Sequence, residues 1–143
     1  MKKHLWFLFL ALAACSAPQG LRTTGSLRIQ SVQPDVVAGC QVRAGDWMLL
    51  TGNAFGTQEE WDSGTNYALF PPDPGLPAES PEITQRENPA TLMFRVPEGA
   101  QSGLLRLHVA GVGDAEIPVN VQAVAPQMAV PGCEAPTPPQ APR

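Results

Sequence analysis

The stretch LLTGNAFGTQ, residues 49–58, decides which fold this chain can adopt. An apolar run ends at Gly52, and a single aromatic residue, Phe55, lies between that glycine and Gly56. The stretch is either a loop that binds phosphate or a turn that closes a small β-domain. A phosphate-binding loop leads into a helix and ends in Lys-Ser or Lys-Thr, whereas Gly56 is followed by TQEEWD, which is acidic and has no lysine. The stretch favours the turn, with Phe55 as a core plug, since glycine adopts backbone angles that a side chain obstructs.

Apolar and polar residues alternate along several short runs on both sides of this turn. Five runs and one shorter apolar stretch cover residues 27–31, 47–51, 66–70, 91–96, 104–109 and 116–121. Glycine, proline and aspartate separate them, and no helical period is present outside the first residues. A period of two is typical of half-buried antiparallel strands. The chain is therefore predicted to be an all-β, antiparallel sandwich. Pro118 has no N–H to donate, so the last strand is expected to be an edge strand or to have that N–H position facing outward.

The first residues, MKKHLWFLFLALAAC, have the features of an export signal. Lys2 and Lys3 give a positive start, and an apolar stretch follows and ends in small residues. Its eight residues would span about 12 Å as a helix, against about 30 Å of bilayer hydrocarbon. We therefore predict a signal peptide over residues 1–14 and no membrane-spanning helix there.

The end of this signal, Leu12-Ala13-Ala14-Cys15, resembles the lipobox of bacterial lipoproteins. The resemblance implies cleavage before Cys15 and acylation of that cysteine, which would attach the protein to a membrane. Several acyl chains hold a protein far more firmly than one. Ser16 follows the cysteine, which by the sorting rule of lipoproteins implies the outer membrane of the cell envelope. The alternative is an ordinary secretory signal with an incidental cysteine.

Charge argues against nucleic acid as a partner. Loss of Lys2 and Lys3 from nine basic residues leaves seven, all arginine, against 13 acidic ones, a net charge of −6 (7 − 13). The arginines are scattered along the chain, whereas binding to phosphate backbones needs clustered basic charge.

Two cysteines remain after Cys15, namely Cys40 and Cys133. In an exported, oxidising setting two cysteines most often form one disulfide. Two free thiols, or a bridge to another chain, are the alternatives. A zinc site would need further ligands, and His108 is the only histidine after the signal, so no metal or other cofactor is predicted.

The order of several motifs resembles the IPT/TIG domain, an immunoglobulin-like module. The matching motifs are Ser31-Val32-Gln33-Pro34, Ala44-Gly45-Asp46, Gly52-Asn53-Ala54-Phe55-Gly56, Arg95-Val96-Pro97-Glu98-Gly99 and Ser102-Gly103. Residues 57–90 are longer and richer in proline than the usual middle of that domain. We predict a lipidated tether over residues 15–25, the IPT/TIG-like sandwich over residues 26–123, and a tail of polyproline character over residues 124–143.

An immunoglobulin-like fold implies how the two cysteines meet. In such a fold the early edge segment around residues 35–37 would run parallel to the final strand, residues 117–121. Cys40 and Cys133 would then lie at one pole, joined by a disulfide that holds the tail there. The lipidated N-terminus would lie near the opposite pole.

Catalytic chemistry has little support in the sequence. His108 alternates onto the outer face of its strand, where a solvated surface residue is expected. Glu59, Glu60 and Asp62 with Asn66 could collect calcium, but their spacing matches no known loop, and a solvated acidic turn is the preferred interpretation. The protein is therefore predicted not to be an enzyme.

A binding surface is the remaining hypothesis. If Met48 and Leu50 point inward, Trp47 and Leu49 point outward, and Trp61 in the following loop is a second exposed aromatic candidate. Exposed apolar patches often mark binding sites, although a loop or the proline tail could cover this one. We predict protein binding or scaffolding in the envelope. The alternative is a polysaccharide-binding module, which would need Trp47, Trp61 and Tyr67 in a line on one face.

Overall fold

The computed structural model describes residues 20–83, 90–122 and 131–136, and within them the chain is an all-β protein. The described residues form two sheets packed on one core. Their ten strands and one helix are, in chain order, β1 (Arg22–Thr23), β2 (Ile29–Gln33), β3 (Gln41–Arg43), β4 (Trp47–Gly52), α1 (Gln58–Asp62), β5 (Tyr67–Phe70), β6 (Leu76–Pro77), β7 (Glu79–Ile83), β8 (Thr91–Arg95), β9 (Gly103–Val109) and β10 (Gly113–Gln122). None of the described helical structure is long and apolar enough to cross a membrane.

The strands pair in an almost entirely antiparallel way. The six-stranded sheet has the order β1-β10-β9-β5-β6, and β3 also pairs with β10, in parallel. The four-stranded sheet has the order β2-β4-β8-β7. The prediction of an antiparallel two-sheet fold is confirmed.

The inner faces of both sheets supply one hydrophobic core. The alternating apolar residues of the predicted runs point into it, and the largest fully buried side chains are Phe55, Phe70, Phe94, Leu27, Met48, Leu50, Leu92, Leu105, Leu107, Ile117, Val42 and Val96. The rings of Phe70 and Phe94, from opposite sheets, meet edge to face with centroids 6.0 Å apart. Period-two patterning therefore identified the strands that form the core.

Five elements were absent from the sequence prediction: β1, β3, β6, β7 and α1. β1, β3 and β6 have only two or three residues and α1 has five, which is too short for a strand or helix period to show, and β7 contains one aliphatic residue, Ile83. Pro81 further obscures β7, since proline is depleted in strands. The four short strands extend the two sheets, whereas α1 hydrogen-bonds to β7 through Gln58.

The turn from Gly52 to Gly56 follows β4 and packs against the segment that precedes β2. A Cβ atom at Gly52 would lie 2.1 Å from the carbonyl oxygen of Arg28, so only glycine fits there. Asn53 accepts a hydrogen bond from the Arg28 amide at 2.7 Å and donates to the Ser26 carbonyl at 3.0 Å. We call the end of the sandwich that contains this turn the closed end.

Phe55 fills the core at the closed end, and its ring is fully buried. Its carbonyl oxygen accepts a hydrogen bond from the indole Nε1 of Trp61 at 2.6 Å and a longer one from the amide of Asn66 at 3.4 Å. The side-chain oxygen of Asn66 accepts from the Ala110 amide at 2.8 Å, which ties the turn to the end of β9. The prediction that Phe55 is a core plug is confirmed.

Pro118 lies on β10 between two different neighbours. Glu116 is the register partner of Arg22 in β1, whereas Asn120 is the partner of Gln41 in β3. The missing N–H of Pro118 therefore falls where the neighbour of β10 changes, so proline is tolerated in a long strand that is not at an edge.

Cys40 and Cys133 form a disulfide with their Cα atoms 5.4 Å apart. The segment that runs parallel to β10 is β3, residues 41–43, and not residues 35–37 as predicted. Residues 35–39 form a turn instead, in which the Asp35 carbonyl accepts from the amides of Ala38 and Cys40. Cys40 thus precedes the parallel strand directly.

The chain enters the domain at the end where β10 finishes, which we call the entry end. Gly20 lies beside Pro118, since a Cβ atom there would be 2.9 Å from the proline Cγ. Cys40 lies at the same end, because Gln41 pairs with Asn120. The described chain therefore begins at the same end as the disulfide and not at the opposite pole, because β1 runs antiparallel along β10 before the chain turns into β2. Cys15 itself, which was predicted at the opposite pole, lies outside the described residues.

The predicted domain boundaries need one correction. Residues 22–23, assigned to the tether, form β1, so the folded domain begins before residue 26. The signal peptide (residues 1–14), Cys15, and tail residues 124–130 and 137–143 lie outside the described residues.

Phe55→Ala should lower the free energy of unfolding by about 3–5 kcal/mol, because it removes a fully buried aromatic ring. Denaturant titration of the variant against the wild type measures the loss. Tyr67→Ala, which removes an aromatic ring that is 40% exposed, is the control and should cost much less. A loss under about 1 kcal/mol for Phe55→Ala would contradict the core position of the ring.

Replacing Cys40 and Cys133 together by serine should lower stability by up to about 4–5 kcal/mol, because the bridge closes a long loop in the unfolded chain. The two residues are 93 positions apart. Non-reducing peptide mapping of the wild type should recover the Cys40–Cys133 peptide pair. A Cys133–Cys133 dimer peptide, or two free thiols, would disprove the intramolecular bridge.

Candidate functional site

The outer face of the four-stranded sheet carries the residues that the sequence singled out for binding. Met48 and Leu50 of β4 are fully buried, and Trp47 and Leu49 lie on the opposite side of the strand, half-buried. The strand has this arrangement because successive side chains point to opposite faces.

Strand β8 places two further side chains beside them. Trp47 is the register partner of Arg95, and Leu49 is the partner of Met93. The guanidinium carbon of Arg95 lies 5.7 Å from the centroid of the Trp47 ring, within the range of a cation–π contact. We call Trp47, Leu49 and Arg95, which are half-buried, the Trp47 surface; Met93 lies beside them but is only 3% exposed.

Polar residues of the two flanking strands border this surface. Gln33 of β2 is the partner of Leu49, and Glu82 and Glu79 of β7 are the partners of Met93 and Arg95. An apolar centre with a polar border has the layout of a protein interface.

Arg95 makes no ion pair with any described residue. Its Nε is buried and has no hydrogen-bond acceptor within the described part of the chain. Arg95 therefore contacts the Trp47 ring and has no carboxylate within ion-pair distance in the described residues, although Glu79 is its cross-strand partner.

Trp61 does not belong to an exposed surface, and that prediction is wrong. Only 4% of Trp61 is exposed, and its indole donates to the Phe55 carbonyl. The sequence placed it in a loop, whereas it lies on α1 and faces the core. Thr57 begins this helix with a capping box, in which Glu60 accepts from the Thr57 amide at 3.1 Å and Thr57 Oγ1 accepts from the Glu60 amide at 3.3 Å.

The three aromatic residues that a polysaccharide platform would need lie in three different places. Trp47 is on the outer face of the four-stranded sheet, Trp61 is buried, and Tyr67 is on the outer face of the six-stranded sheet. They form no line on one face.

His108 lies on the outer face of its strand, as predicted, but it has partners there. Its ring stacks on Tyr67 with centroids 5.0 Å apart, and its Nδ1 lies 2.5 Å from a carboxylate oxygen of Asp114. Among the described residues no serine or cysteine side chain hydrogen-bonds to the ring, so this pair lacks the nucleophile that a catalytic triad requires.

The acidic residues after Gly56 have separate hydrogen-bonding roles and do not share one site. Glu60 caps α1, Asp62 accepts from Gln58 at 2.9 Å, and Asn66 is buried behind Phe55. No three His, Cys, Asp or Glu side chains in residues 20–83, 90–122 and 131–136 are grouped so that they could hold a metal ion.

Met93 and Arg95 were missed at the level of sequence. Their alternation with Leu92 and Phe94 placed them on an outer face, but only the pairing of β8 with β4 shows that they lie beside Trp47. Comparison of the chain with protein-family models, with curated proteins and with solved structures finds no match.

Proposed function

We propose that this protein is a non-enzymatic, lipid-anchored component of the cell envelope, and that the Trp47 surface binds a protein partner. The observation that carries the proposal is the Trp47–Arg95 pair on the outer face of a sheet. Tryptophan and arginine are enriched among the residues that dominate protein interfaces. Leu49, which is half-buried, supplies apolar area beside the pair, whereas Met93 is almost fully covered.

A protein partner is favoured over a polysaccharide by the positions of the aromatic residues. Sugar rings stack on several aromatic side chains that share one exposed face. Trp47 is the one aromatic residue of the Trp47 surface, since the surface contains no second ring in the described residues. Arg95 forms no ion pair with a described residue, which suits a partner with a carboxylate, to which a guanidinium binds through two parallel hydrogen bonds.

We further infer that the domain is of the IPT/TIG type. Three features support this: the two antiparallel sheets, the glycine-bounded turn that buries Phe55, and an early strand, β3, that runs parallel to the last strand. The segment between Gly56 and β8, which contains α1 and β5 to β7, is the part that departs from the usual pattern of the family.

The anchor rests on the sequence Leu12-Ala13-Ala14-Cys15, and Ser16 favours the outer membrane. The disulfide between Cys40 and Cys133 fits an exported protein, since such bonds persist in oxidising compartments.

Partner binding should depend on the Trp47–Arg95 pair. A photo-reactive amino acid at position 49 should cross-link one envelope protein reproducibly, and Trp47→Ala or Arg95→Ala should each weaken that complex by about 2 kcal/mol, roughly 30-fold in Kd. The same photo-reactive group at position 67, on the other sheet, is the matched control. Equal cross-linking from both positions, or undiminished binding by both alanine variants, would contradict the assignment of the Trp47 surface.

Polysaccharide retention is a separate outcome of the same variants. If envelope polysaccharide retains the wild type but not Trp47→Ala, and the variant unfolds at the same denaturant concentration as the wild type, the ligand is a glycan and not a protein.

Lipidation should be visible by mass spectrometry of the membrane-extracted protein, as acyl chains on an N-terminal Cys15. Cys15→Ser should release the protein from the membrane fraction, whereas Cys133→Ser, the control, should leave it acylated. A soluble wild-type chain with an unmodified N-terminus would exclude the anchor.

A further inference from the structure

The outer face of the six-stranded sheet is apolar where the chain enters the domain. Leu104 is the register partner of Pro118, which Gly20 adjoins. Leu104 is 40% exposed, and among the described large hydrophobic residues only Tyr67 is equally open. Beside Leu104, the loop with Pro71 and Pro74 borders a shallow cleft of about 240 Å³. We call Leu104, Pro118, Pro71 and Pro74 the entry patch.

The next row of side chains on the same face carries two arginines. Arg22 of β1 and Arg106 of β9 are both register partners of Glu116 on β10. Rows two residues apart along a strand are about 7 Å apart. Neither arginine forms an ion pair with a described residue, so both guanidinium groups can bind an external anion.

The chain length between Cys15 and this patch is short. Five residue steps separate Cys15 from Gly20, and a fully extended chain covers at most about 18 Å in that number of steps. Acyl chains on Cys15 would hold that residue at the membrane surface, so Gly20 would stay within this distance of the lipid, with Pro118 of the entry patch directly beside it.

We propose that the entry patch is a membrane-docking face that contacts the lipid surface on which the protein is anchored. The proposal rests on the lipidation of Cys15 proposed above. Leu104 and the prolines enter the boundary between headgroups and acyl chains, and Arg22 and Arg106 reach the phosphate groups one row behind. Arginine suits this position because its stem packs on apolar surface while its guanidinium pairs with phosphate.

The contact can be weak and still be populated, because the tether makes it intramolecular. A short linker gives an effective concentration in the millimolar range. The net charge of −6 that is left after removal of the signal peptide, together with Glu116 in the arginine row and Asp73 beside the cleft, opposes binding to anionic lipid. Apolar contact and the two local arginines therefore have to carry the docking, and it depends on the tether.

Docking by this face determines which surface remains available to a partner. The Trp47 surface lies on the outer face of the other sheet, so contact of the entry patch with lipid turns the Trp47 surface away from the membrane. The two proposed surfaces are therefore compatible on one anchored molecule.

Nitroxide labels on the full acylated protein in 3:1 phosphatidylethanolamine–phosphatidylglycerol vesicles test the docking face. The native cysteines are bonded to each other or acylated, so a new cysteine can be labelled selectively. One label at position 104 and one at position 67 compare two side chains of equal exposure at opposite ends of one face. We expect the label at 104 to lose accessibility to a water-soluble relaxant when the protein is on vesicles, and the label at 67 to keep it.

A second comparison tests whether the native Leu104 side chain makes the lipid contact, since a label at position 104 replaces that side chain. Gln101 is exposed, and its backbone N–H donates to the Pro71 carbonyl. A label at position 101 therefore lies beside the entry patch. That label should be shielded in the otherwise native chain and should lose its shielding in the Leu104→Asp background. Equal accessibility at positions 67, 101 and 104, with acylation confirmed by mass spectrometry, would overturn the docking face and leave the anchor intact. An unacylated N-terminus would overturn the anchor and the docking face together.

Discussion

The packing of this domain depends on one buried ring and the carbonyl group of the same residue. Phe55 can enter the core only if its carbonyl oxygen finds donors there, since an unpaired buried carbonyl costs about 1–3 kcal/mol. Trp61 and Asn66 supply those donors, and Asn66 also accepts from the Ala110 amide. A single buried turn thereby connects the end of β4, the helix α1, the start of β5 and the end of β9.

This constraint determines which side chains remain for function. The indole of Trp61 is committed to the interior, so Trp47 is the tryptophan left on an outer face in the described residues. The two outer faces differ in chemistry: one carries Trp47 beside Arg95, and the other carries Leu104 ahead of two arginines. We propose a protein partner for the first face and the lipid surface for the second.

The disulfide and the directions of β1, β3 and β10 define the entry end of the sandwich, whereas the buried ring of Phe55 fills the closed end. The disulfide ties Cys133 to Cys40 immediately before β3, and β3 is parallel to β10, the last strand. Because β1 runs antiparallel along β10, the first described residue also lies at this end. Chain entry and disulfide are thus together, and a tether attached there brings the nearby apolar residues close to any membrane that holds it.

The sequence by itself determined the strands of the core, the closing turn and the two cysteines available for a bridge. These features follow from residues close together in the chain or from a simple count: the period-two alternation, the Gly52–Gly56 spacing and the number of cysteines. They can therefore be recognised without knowing the tertiary structure. Only the tertiary structure decided where Trp61 points, which strand lies beside Trp47, and at which end the chain enters. A five-residue helix and two- or three-residue strands have no readable period. Cross-strand neighbours such as Trp47 and Arg95 are 48 positions apart (95 − 47) and meet only through the register of two strands.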